Sequence, residues 1–259
     1  MGGMLVRAFL RAGVVQAENI WAANRTPQKL AALAAEFCGI HCDSPSRVAQ
    51  QSEVLFLAVK PGDTEKALES IENNLRLDQL CVFLTNVFSL EQMERRIPCA
   101  AAKLIPTITQ QINQGVALIA YGQRAASEHF RRMEALLAAT CRPLIVEERH
   151  MRLFGDITSC GPALLSVCLE ELCRQASAID PSIPSRDVLA ACVETLAATG
   201  ELLRTGITPE QLVGKVAVLG GMTEAGISAL RQLLPQLFAT LFSATRQTEQ
   251  QKRQSLSLG

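Results

Sequence analysis

The sequence has no excess of charge of either sign, because lysine plus arginine and aspartate plus glutamate each number 25 among its 259 residues. Proteins that bind nucleic acid or anionic membranes through net charge need a basic excess, so neither partner is expected. No signal peptide and no apolar run long enough to span a bilayer is predicted, which favours a cytoplasmic location. A hydrophobic content of 48% against 19% charged residues excludes a disordered chain.

The sequence also lacks the pattern of a metal site. None of its nine cysteines forms a C-x-x-C pair, and only three histidines are available as further ligands. Most of the cysteines lie inside apolar runs, which predicts buried, reduced thiols and a reducing compartment. No bound metal is expected.

Up to residue 147, predicted strands alternate with predicted helices of about ten residues, which is typical of a doubly wound α/β domain. The run Val-Leu-Phe-Leu-Ala-Val at 54–59 predicts a strand buried on both faces of a parallel sheet. Further strands are predicted at 19–23, 40–42, 80–84, 100–105, 116–121 and 144–146. The intervening helices are predicted at 4–12, 28–37, 44–51, 63–73, 90–96 and 126–139.

From residue 148 the pattern is helical, with long periodic stretches at 149–178, 185–204 and 227–245. Pro235 is expected to kink the last helix or end it early, and the polar tail from Arg246 is expected to fray. We therefore predict an α/β domain over 1–147 and an all-helical domain over 148–259. The helices are apolar over faces broader than one small bundle needs, which predicts an intertwined homodimer.

The glycine motif that normally opens a doubly wound dinucleotide-binding domain, G-x-G-x-x-G after a first strand, is missing. The chain begins Met1-Gly2-Gly3-Met4-Leu5. We interpret Gly2 as the third glycine of that motif, so that the first strand, at the centre of the sheet, is lacking. We hypothesise a natural start further upstream; the alternative is a true truncation that binds dinucleotide poorly or not at all. An in-frame stop codon directly upstream of Met1 would exclude the first explanation.

The stretch V-A-V-L-G-G-M-T-E-A-G-I at 216–227 places two glycines and Thr223 at the head of an amphipathic run. Free amides at a helix start suit an anion such as a carboxylate, and the threonine hydroxyl both donates and accepts hydrogen bonds. Spacing alone favours the simpler interpretation, a loop with Thr223 as the N-cap.

Five short motifs occur in order along the chain and identify a family. They are A-N-R-T-P at 23–27, A-V-K-P at 58–61, I-P-T-I-T at 105–109, S-C-G-P-A at 159–163 and G-G-M-T at 220–223. Over essentially its full length the chain resembles the pyrroline-5-carboxylate reductases, and within them the branch of reductase-like late competence proteins. The resemblance implies an NAD(P)H-dependent reduction of the cyclic imine 1-pyrroline-5-carboxylate to L-proline, as in proline biosynthesis. It also implies a dinucleotide-binding first domain and a helical second domain that dimerises and closes the substrate pocket.

The motifs imply a set of cofactor contacts and a set of substrate contacts. Arginine in place of the usual acidic residue after the second strand favours the 2′-phosphate of NADPH, with NADH as the alternative. That segment is also a helix-start turn, and Lys60 alone could be a solvated loop lysine. The implied cofactor residues are Gly2, Asn24, Arg25, Thr26, Ala58, Val59, Lys60 and Pro61. The implied substrate residues are Ser159, Gly161, Pro162, Gly220, Gly221, Met222 and Thr223, of which Thr223 is the candidate catalytic residue. Cys160, where the family has serine, is interpreted as a packed thiol.

Three departures from the family pattern weaken the expectation of catalysis. Val218 replaces a hydroxyl that would bind the substrate carboxylate, Thr107 replaces an amide on the cofactor side, and Thr85-Asn86-Val87 replaces a small A-A-G stretch. Two hypotheses follow: a cyclic-imine reductase, or a competence-associated protein that keeps the fold with weak or no activity and a regulatory or binding role. A reductase of the β-hydroxyacid or coenzyme-F420 type is a third, less favoured possibility.

Overall fold

The computed structural model describes residues 1–255, and its contacts divide the chain into two units. The first unit contains Met1–Pro162 together with the residues from Thr245 onward, and the second contains Ala163–Ala244. The strands are β1 (Trp21–Ala22), β2 (His41–Cys42), β3 (Val54–Leu57), β4 (Leu80–Phe83), β5 (Ala100–Ile105), β6 (Val116–Tyr121) and β7 (Arg142–Ile145). The helices are α1 (Gly2–Arg11), α2 (Pro27–Glu36), α3 (Pro45–Gln51), α4 (Thr64–Glu69), α5 (Leu90–Arg96), α6 (Ser127–Ala138), α7 (Met151–Thr158), α8 (Gly161–Ile179), α9 (Ser185–Arg204), α10 (Pro209–Val216) and α11 (Met222–Ser255). Short 3-10 helices occupy Ala17–Asn19, Pro61–Asp63, Glu72–Asn74, Ile108–Ile112 and Glu148–His150.

The strands form two separate sheets. β1 and β2 pair in parallel, and β3 to β7 form a five-stranded sheet in sequential order. Within the part of the chain that the structure describes, no strand precedes β1, and none pairs with both β1 and β3. The predicted fold class is confirmed: a Rossmann-type α/β sheet without a first strand, followed by a helical region.

The direction of one strand differs from the expected parallel sheet. β6 runs antiparallel to β5, whereas the pairs β3–β4, β4–β5 and β6–β7 are parallel. The connection over 106–115 contains only the 3-10 helix Ile108–Ile112 and a left-handed turn at Asn113, where φ is 55°. A parallel connection needs a longer crossover, so the chain reverses here.

The sheet core confirms most predicted strands and corrects one. β4 is buried along its whole length, and β5 and β6 nearly so, between the two halves of the hydrophobic core. The prediction that the apolar run at 54–59 is buried on both faces is wrong, because only Leu55 and Leu57 of β3 are buried. β3 is an edge strand of its sheet, and its other face is covered in part by Phe9 of α1, whose ring lies 5.8 Å from that of Phe56.

Several helices differ from their predicted bounds. The predicted helix at 63–73 is broken into α4 and two 3-10 helices, and the predicted helix at 149–178 is interrupted between Thr158 and Gly161. α10 was not predicted, although Thr208, Pro209 and Gln211 form its capping box and first turn. α11 continues past Pro235 to Ser255, so the predicted early end and frayed tail are wrong for the described residues; residues 256–259 lie outside them.

The thiols are more exposed than predicted. Cys81, Cys99 and Cys141 are buried, and burial raises the pKa of each, but Cys38, Cys42 and Cys168 are exposed. All nine cysteines are free. In residues 1–255 no three histidine, cysteine or acidic side chains are grouped as metal ligands would be.

The second unit has almost no interior of its own. No residue of α9, α10 or α11 is buried, and Leu172, Val193 and Leu233 are each about half exposed or more. Among the described residues, the stretch Glu148–Ile179 is long and apolar enough to span a membrane, contrary to the expectation of no such run. The stretch is interrupted by the break between α7 and α8.

A buried ion pair joins three elements of the first unit. Lys103 lies in β5 with 1% of its surface exposed, and its amine binds the carboxylate of Glu148. The same carboxylate oxygen accepts a hydrogen bond of 2.9 Å from the backbone N–H of Leu90, at the start of α5. Burial lowers the pKa of Lys103, and the hydrogen bond and charge of Glu148 oppose this shift.

Glu148→Leu should destabilise the protein, because it leaves the Lys103 ammonium buried without a counter-charge. Breaking one side of a buried pair costs about 3 kcal/mol, which should appear as a lower urea midpoint in far-UV circular dichroism. The control is Glu147→Leu, since Glu147 is well exposed and pairs only at the surface with Arg149. Equal midpoints for the two variants would contradict the assignment.

The stability of the protein should also depend on pH through Lys103. The pKa of this lysine is lower in the folded chain than in the unfolded one. As pH rises toward the ordinary lysine pKa of about 10.4, the folded chain therefore binds fewer protons than the unfolded chain. The contribution of Lys103 to stability therefore increases with pH in this range, and it should do so more steeply in Glu148→Leu.

Candidate functional site

The start of α1 lies against the carboxyl end of β3. A Cβ atom on Gly2 would lie 2.9 Å from Cβ of Ala58, so only glycine permits this close approach. Close packing of a helix on a strand is the role of the third glycine in dinucleotide-binding motifs. No side chain caps α1, and its first turn contains no acidic residue. Its free amides are therefore able to receive a phosphate.

The loop between β1 and α2 lies beside the same end of β3. The guanidinium of Arg25 is 3.1 Å from the carboxylate of Asp63, and 81% of the Arg25 side chain is exposed. The Oδ1 atom of Asn24 accepts a hydrogen bond from the backbone N–H of Thr26, which precedes Pro27 at the start of α2. The structure is compatible with this segment as a helix-start turn, because α2 begins at Pro27. It is also compatible with a phosphate-binding role, because most of the Arg25 side chain is exposed.

The residues after β3 form a tight turn. Val59 packs against the hydrophobic core, whereas Lys60 is exposed. The carbonyl of Lys60 accepts hydrogen bonds from the backbone N–H of Asp63, at 2.9 Å, and from the hydroxyl of Thr64, at 3.5 Å. The turn fixes the backbone and leaves the Lys60 ammonium in solvent, where it can meet an anionic ligand.

The structure therefore brings the predicted cofactor residues together in the first unit. Gly2 contacts Ala58, and Arg25 contacts Asp63, which follows Lys60 and Pro61. The uncapped start of α1 and the cationic side chains of Arg25 and Lys60 thus lie together at the carboxyl end of β3. Ligands bind at this end of the strands in such sheets. The donor set suits the phosphates of a dinucleotide.

The predicted departure at Thr107 has a local structural role. Thr107 is 1% exposed, its hydroxyl lies 3.0 Å from that of Thr109, and its backbone N–H donates to Gln110. A Cβ atom on Gly115 would collide with Thr109, so glycine is required there. The Thr107 side chain thus caps the 3-10 helix Ile108–Ile112 and is not free to bind a ligand.

Ser159 and Cys160 form the break between α7 and α8. Their backbone N–H groups both donate to the carbonyl of Gly155 at 3.0 Å, and Gly161, which is buried, begins α8 with Pro162. The Cys160 thiol is half-buried and lies 3.9 Å from the guanidinium of Arg152. This packing agrees with the interpretation of Cys160 as a packed thiol.

Sequence reasoning missed a buried carboxylate beside this break. Asp156 is 4% exposed, pairs with Arg152, and accepts a hydrogen bond of 2.9 Å from the hydroxyl of Thr245. A charged residue inside an apolar periodic stretch was the available signal.

The remaining predicted substrate residues lie in the second unit, between α10 and α11. Gly220 has φ of 72°, a conformation that favours glycine, and its neighbour Gly221 donates to the carbonyl of Val218 at 2.8 Å. A Cβ atom on Gly221 would lie 2.8 Å from that carbonyl oxygen. Both glycines are therefore needed by the turn itself.

The interpretation of Thr223 as an N-cap is wrong, because α11 begins at Met222 and Thr223 lies within its first turn. Its side chain is exposed, as is that of Met222. The carboxylate of Glu224 reaches back to the backbone N–H of Gly220, at 2.5 Å. A carboxylate at the third helical position replaces the expected threonine cap, because it neutralises a free amide at the positive end of the helix.

Two family models match different parts of the chain. A model described as pyrroline-5-carboxylate reductase dimerisation matches residues 148–253, and one described as NADP oxidoreductase, coenzyme F420-dependent, matches residues 1–86. ComE operon protein 4 of Bacillus subtilis is 30% identical over 247 residues, which is 95% of this chain and 90% of that protein. Pyrroline-5-carboxylate reductase 1 of Bacillus spizizenii is 28% identical over 88% of this chain and 77% of its own.

Solved structures show the same fold. A pyrroline-5-carboxylate reductase from Coxiella burnetii superimposes with a TM-score of 0.84 at 19% identity, covering 97% of this chain and 96% of its own. The Plasmodium falciparum pyrroline carboxylate reductase with NADP bound gives a TM-score of 0.82 at 16% identity, covering 98% and 93%. The fold is thus the two-part architecture of a dinucleotide-binding sheet and a helical dimerisation region. The chain belongs to the pyrroline-5-carboxylate reductase family of NAD(P)-dependent oxidoreductases, on the branch of ComE operon protein 4.

Gly2→Ala should weaken dinucleotide binding, because the added methyl group forces α1 away from Ala58. A loss of one charged hydrogen bond at the helix start would raise the dissociation constant of NADPH about tenfold, measured by the fluorescence of the bound nucleotide. Gly3→Ala is the control, since a Cβ atom there meets only the flexible end of Arg7, at 3.2 Å. Equal dissociation constants for the two variants would argue against a site at this helix start.

Proposed function

We propose that the protein is an NAD(P)H-dependent reductase of a cyclic imine, with 1-pyrroline-5-carboxylate as substrate and L-proline as product. One observation carries the proposal: the start of α1, Arg25 and Lys60 come together at one end of β3. The chain around them matches the reductases over nearly its whole length. The placement agrees with the position of cofactor sites in doubly wound sheets.

The chemistry needs a hydride for the imine carbon and a proton for the imine nitrogen. The nicotinamide cofactor supplies the hydride when it is bound, and the protein supplies binding and orientation. The start of α1, Asn24, Arg25, Thr26 and the segment from Ala58 to Pro61 would hold the cofactor. The backbone N–H groups of Met222 and Thr223 would bind the substrate carboxylate, whereas that of Gly221 already donates to the carbonyl of Val218.

The proton side of the reaction is assigned to Thr223. Its exposed hydroxyl would donate a hydrogen bond to the lone pair of the ring nitrogen and so polarise the C=N bond for hydride addition at carbon. As the hydride adds, the nitrogen would take up the hydroxyl proton, which is replaced from solvent. Ser159, Gly161 and Pro162, at the start of α8, would border the reacting ring. The pair of Arg152 and Asp156 would stabilise the break before α8, because Asp156 lies four residues before Cys160.

We propose NADPH as the preferred cofactor, with a homodimer formed through the second unit and a cytoplasmic location. The arginine at position 25 and the absence of an acidic residue from Asn24 to Thr26 support NADPH. The match to a dimerisation model over 148–253 and the exposed apolar faces of α9 and α11 support the dimer. Nine free thiols support a reducing compartment.

A second function, binding or regulation with little catalysis, is favoured by the glycine turn. Val218 presents an alkyl side chain, 72% exposed, where the family has a hydroxyl. The carboxylate of Glu224 already occupies the N–H of Gly220, so that donor is not free for a substrate. Losing one hydrogen bond to a charged ligand costs about 1.5–3 kcal/mol, or roughly ten- to a hundredfold in affinity.

Oxidation of NADPH in the presence of 1-pyrroline-5-carboxylate tests the enzyme against the regulatory function. We expect turnover in the wild-type protein and a loss of about a hundredfold in kcat for Thr223→Ala, since a positioned proton donor contributes on this scale. Thr223→Ser should keep most of the rate because it retains the hydroxyl. Absence of turnover in the wild type would favour the regulatory function, and an unchanged rate in Thr223→Ala would remove Thr223 from the site.

Arg25→Ala should reduce the affinity for NADPH about tenfold and leave that for NADH unchanged, because only NADPH carries the 2′-phosphate. Asp63→Asn should have the opposite effect on NADPH, since it frees Arg25 from a competing carboxylate. Lys29→Ala is the control: it removes the same charge from an exposed position in the neighbouring helix α2. An equal effect of Arg25→Ala on both nucleotides would contradict the assignment.

A further inference from the structure

Three polar side chains form one stripe along the end of α11. Thr245, Glu249 and Arg253 are spaced four residues apart, so they lie on the same face of the helix. Each makes a hydrogen bond to a residue that is distant in sequence. The hydroxyl of Thr245 donates to Asp156 at 2.9 Å, Glu249 accepts from the side-chain amide of Asn86 at 2.9 Å, and Arg253 donates to the backbone carbonyl of Asn86 at 2.8 Å.

The contacts place this end of α11 with the dinucleotide-binding sheet. The residues from Thr245 onward belong to the first unit, whereas the match to the dimerisation model extends to residue 253. The side chain of Glu249 is 13% exposed, and Arg253 pairs with it at 3.1 Å. Both charges also act on the pKa of buried Lys103 in β5, where Arg253 lowers it and Glu249 raises it. The stripe is thus electrostatically coupled to the centre of the sheet.

The main target of the stripe is the loop that follows β4. Asn86 lies three residues beyond Phe83, the last residue of β4, at the edge where ligands bind in doubly wound sheets. Its side chain and its backbone carbonyl are both held by α11. An ionised carboxylate only accepts hydrogen bonds, so Glu249 fixes the orientation of the amide. The Oδ1 atom of Asn86 then faces the other way, and it is buried without a partner among the described residues.

We infer that the last three turns of α11 are a clasp of the dinucleotide-binding unit. The clasp holds the loop Thr85–Ser89 in the conformation that borders the cofactor, and Glu249 and Arg253 are positioning residues for cofactor binding. The second half of this inference rests on the proposed function. The loop that the clasp holds reads Thr85-Asn86-Val87, which is bulkier than the A-A-G stretch that the family resemblance predicts.

Hydrogen–deuterium exchange of the cofactor-free, full-length protein tests the clasp itself. Glu249→Ala should increase exchange in the segment 84–89 about tenfold, since it removes a hydrogen bond to a charged group. Glu249→Gln keeps an acceptor for the Asn86 amide and should remain near the wild-type rate. The control is Gln247→Ala, an exposed residue on the opposite face of α11. Equal exchange in Glu249→Ala and Gln247→Ala would overturn the proposal.

Titration with NADPH tests the link to the cofactor. Glu249→Ala should raise the dissociation constant about five- to tenfold, Glu249→Gln should restore most of the affinity, and Gln247→Ala should have no effect. If exchange increases but the dissociation constant does not change, the positioning role is wrong. If the wild-type protein does not bind NADPH, the proposed function fails, and with it the positioning role, while the exchange experiment still decides whether the clasp exists.

Discussion

The ion pair between Lys103 and Glu148 is the contact on which the arrangement of the first unit depends. A lysine in the middle of a buried strand must keep a counter-charge, and this requirement fixes the segment before α7 against β5. The same carboxylate receives the first backbone N–H of α5, so the strand and two helices meet at one oxygen atom. The ion pair therefore fixes the start of α5, where the loop after β4 ends. It also fixes the segment before α7, the helix that leads to the break before α8.

Sequence patterns predicted the elements of the fold better than their relations. The bounds of α5, α9, β5 and β6 agree with the predictions because periodicity and caps are local properties. The residues of β6 do not determine whether it runs parallel or antiparallel to β5. The short connection over 106–115 does favour the antiparallel direction, because a parallel pair needs a longer crossover. Phe56 is partly exposed because β3 lies at the edge of the five-stranded sheet, and the residues of a strand do not show whether it lies at an edge.

The candidate site was predicted where motifs carry it and missed where single side chains do. Gly2, Arg25 and Lys60 were predicted from motifs whose order along the chain matches a family, and the structure brings their segments together. Asp156 and Glu249 belong to no motif. The four-residue spacing of Thr245, Glu249 and Arg253 was visible, but a polar tail looks the same whether it is solvated or docked. The hydrogen bonds of Asn86 to Glu249 and Arg253 show that this tail is docked, and the position of Asn86 is known only in the folded chain.

The separate pair β1–β2 has a practical consequence for the study of this protein. Trp21, the only tryptophan, lies in β1, with its ring stacked 4.3 Å from that of His41 in β2 and Arg47 above it. Intrinsic tryptophan fluorescence therefore follows this two-stranded sheet and not the five-stranded one. Small, lightly paired elements open at lower free energy than a buried sheet. Fluorescence should thus report a local transition that precedes global unfolding, and a two-state analysis of that signal would underestimate the stability of the remaining structure.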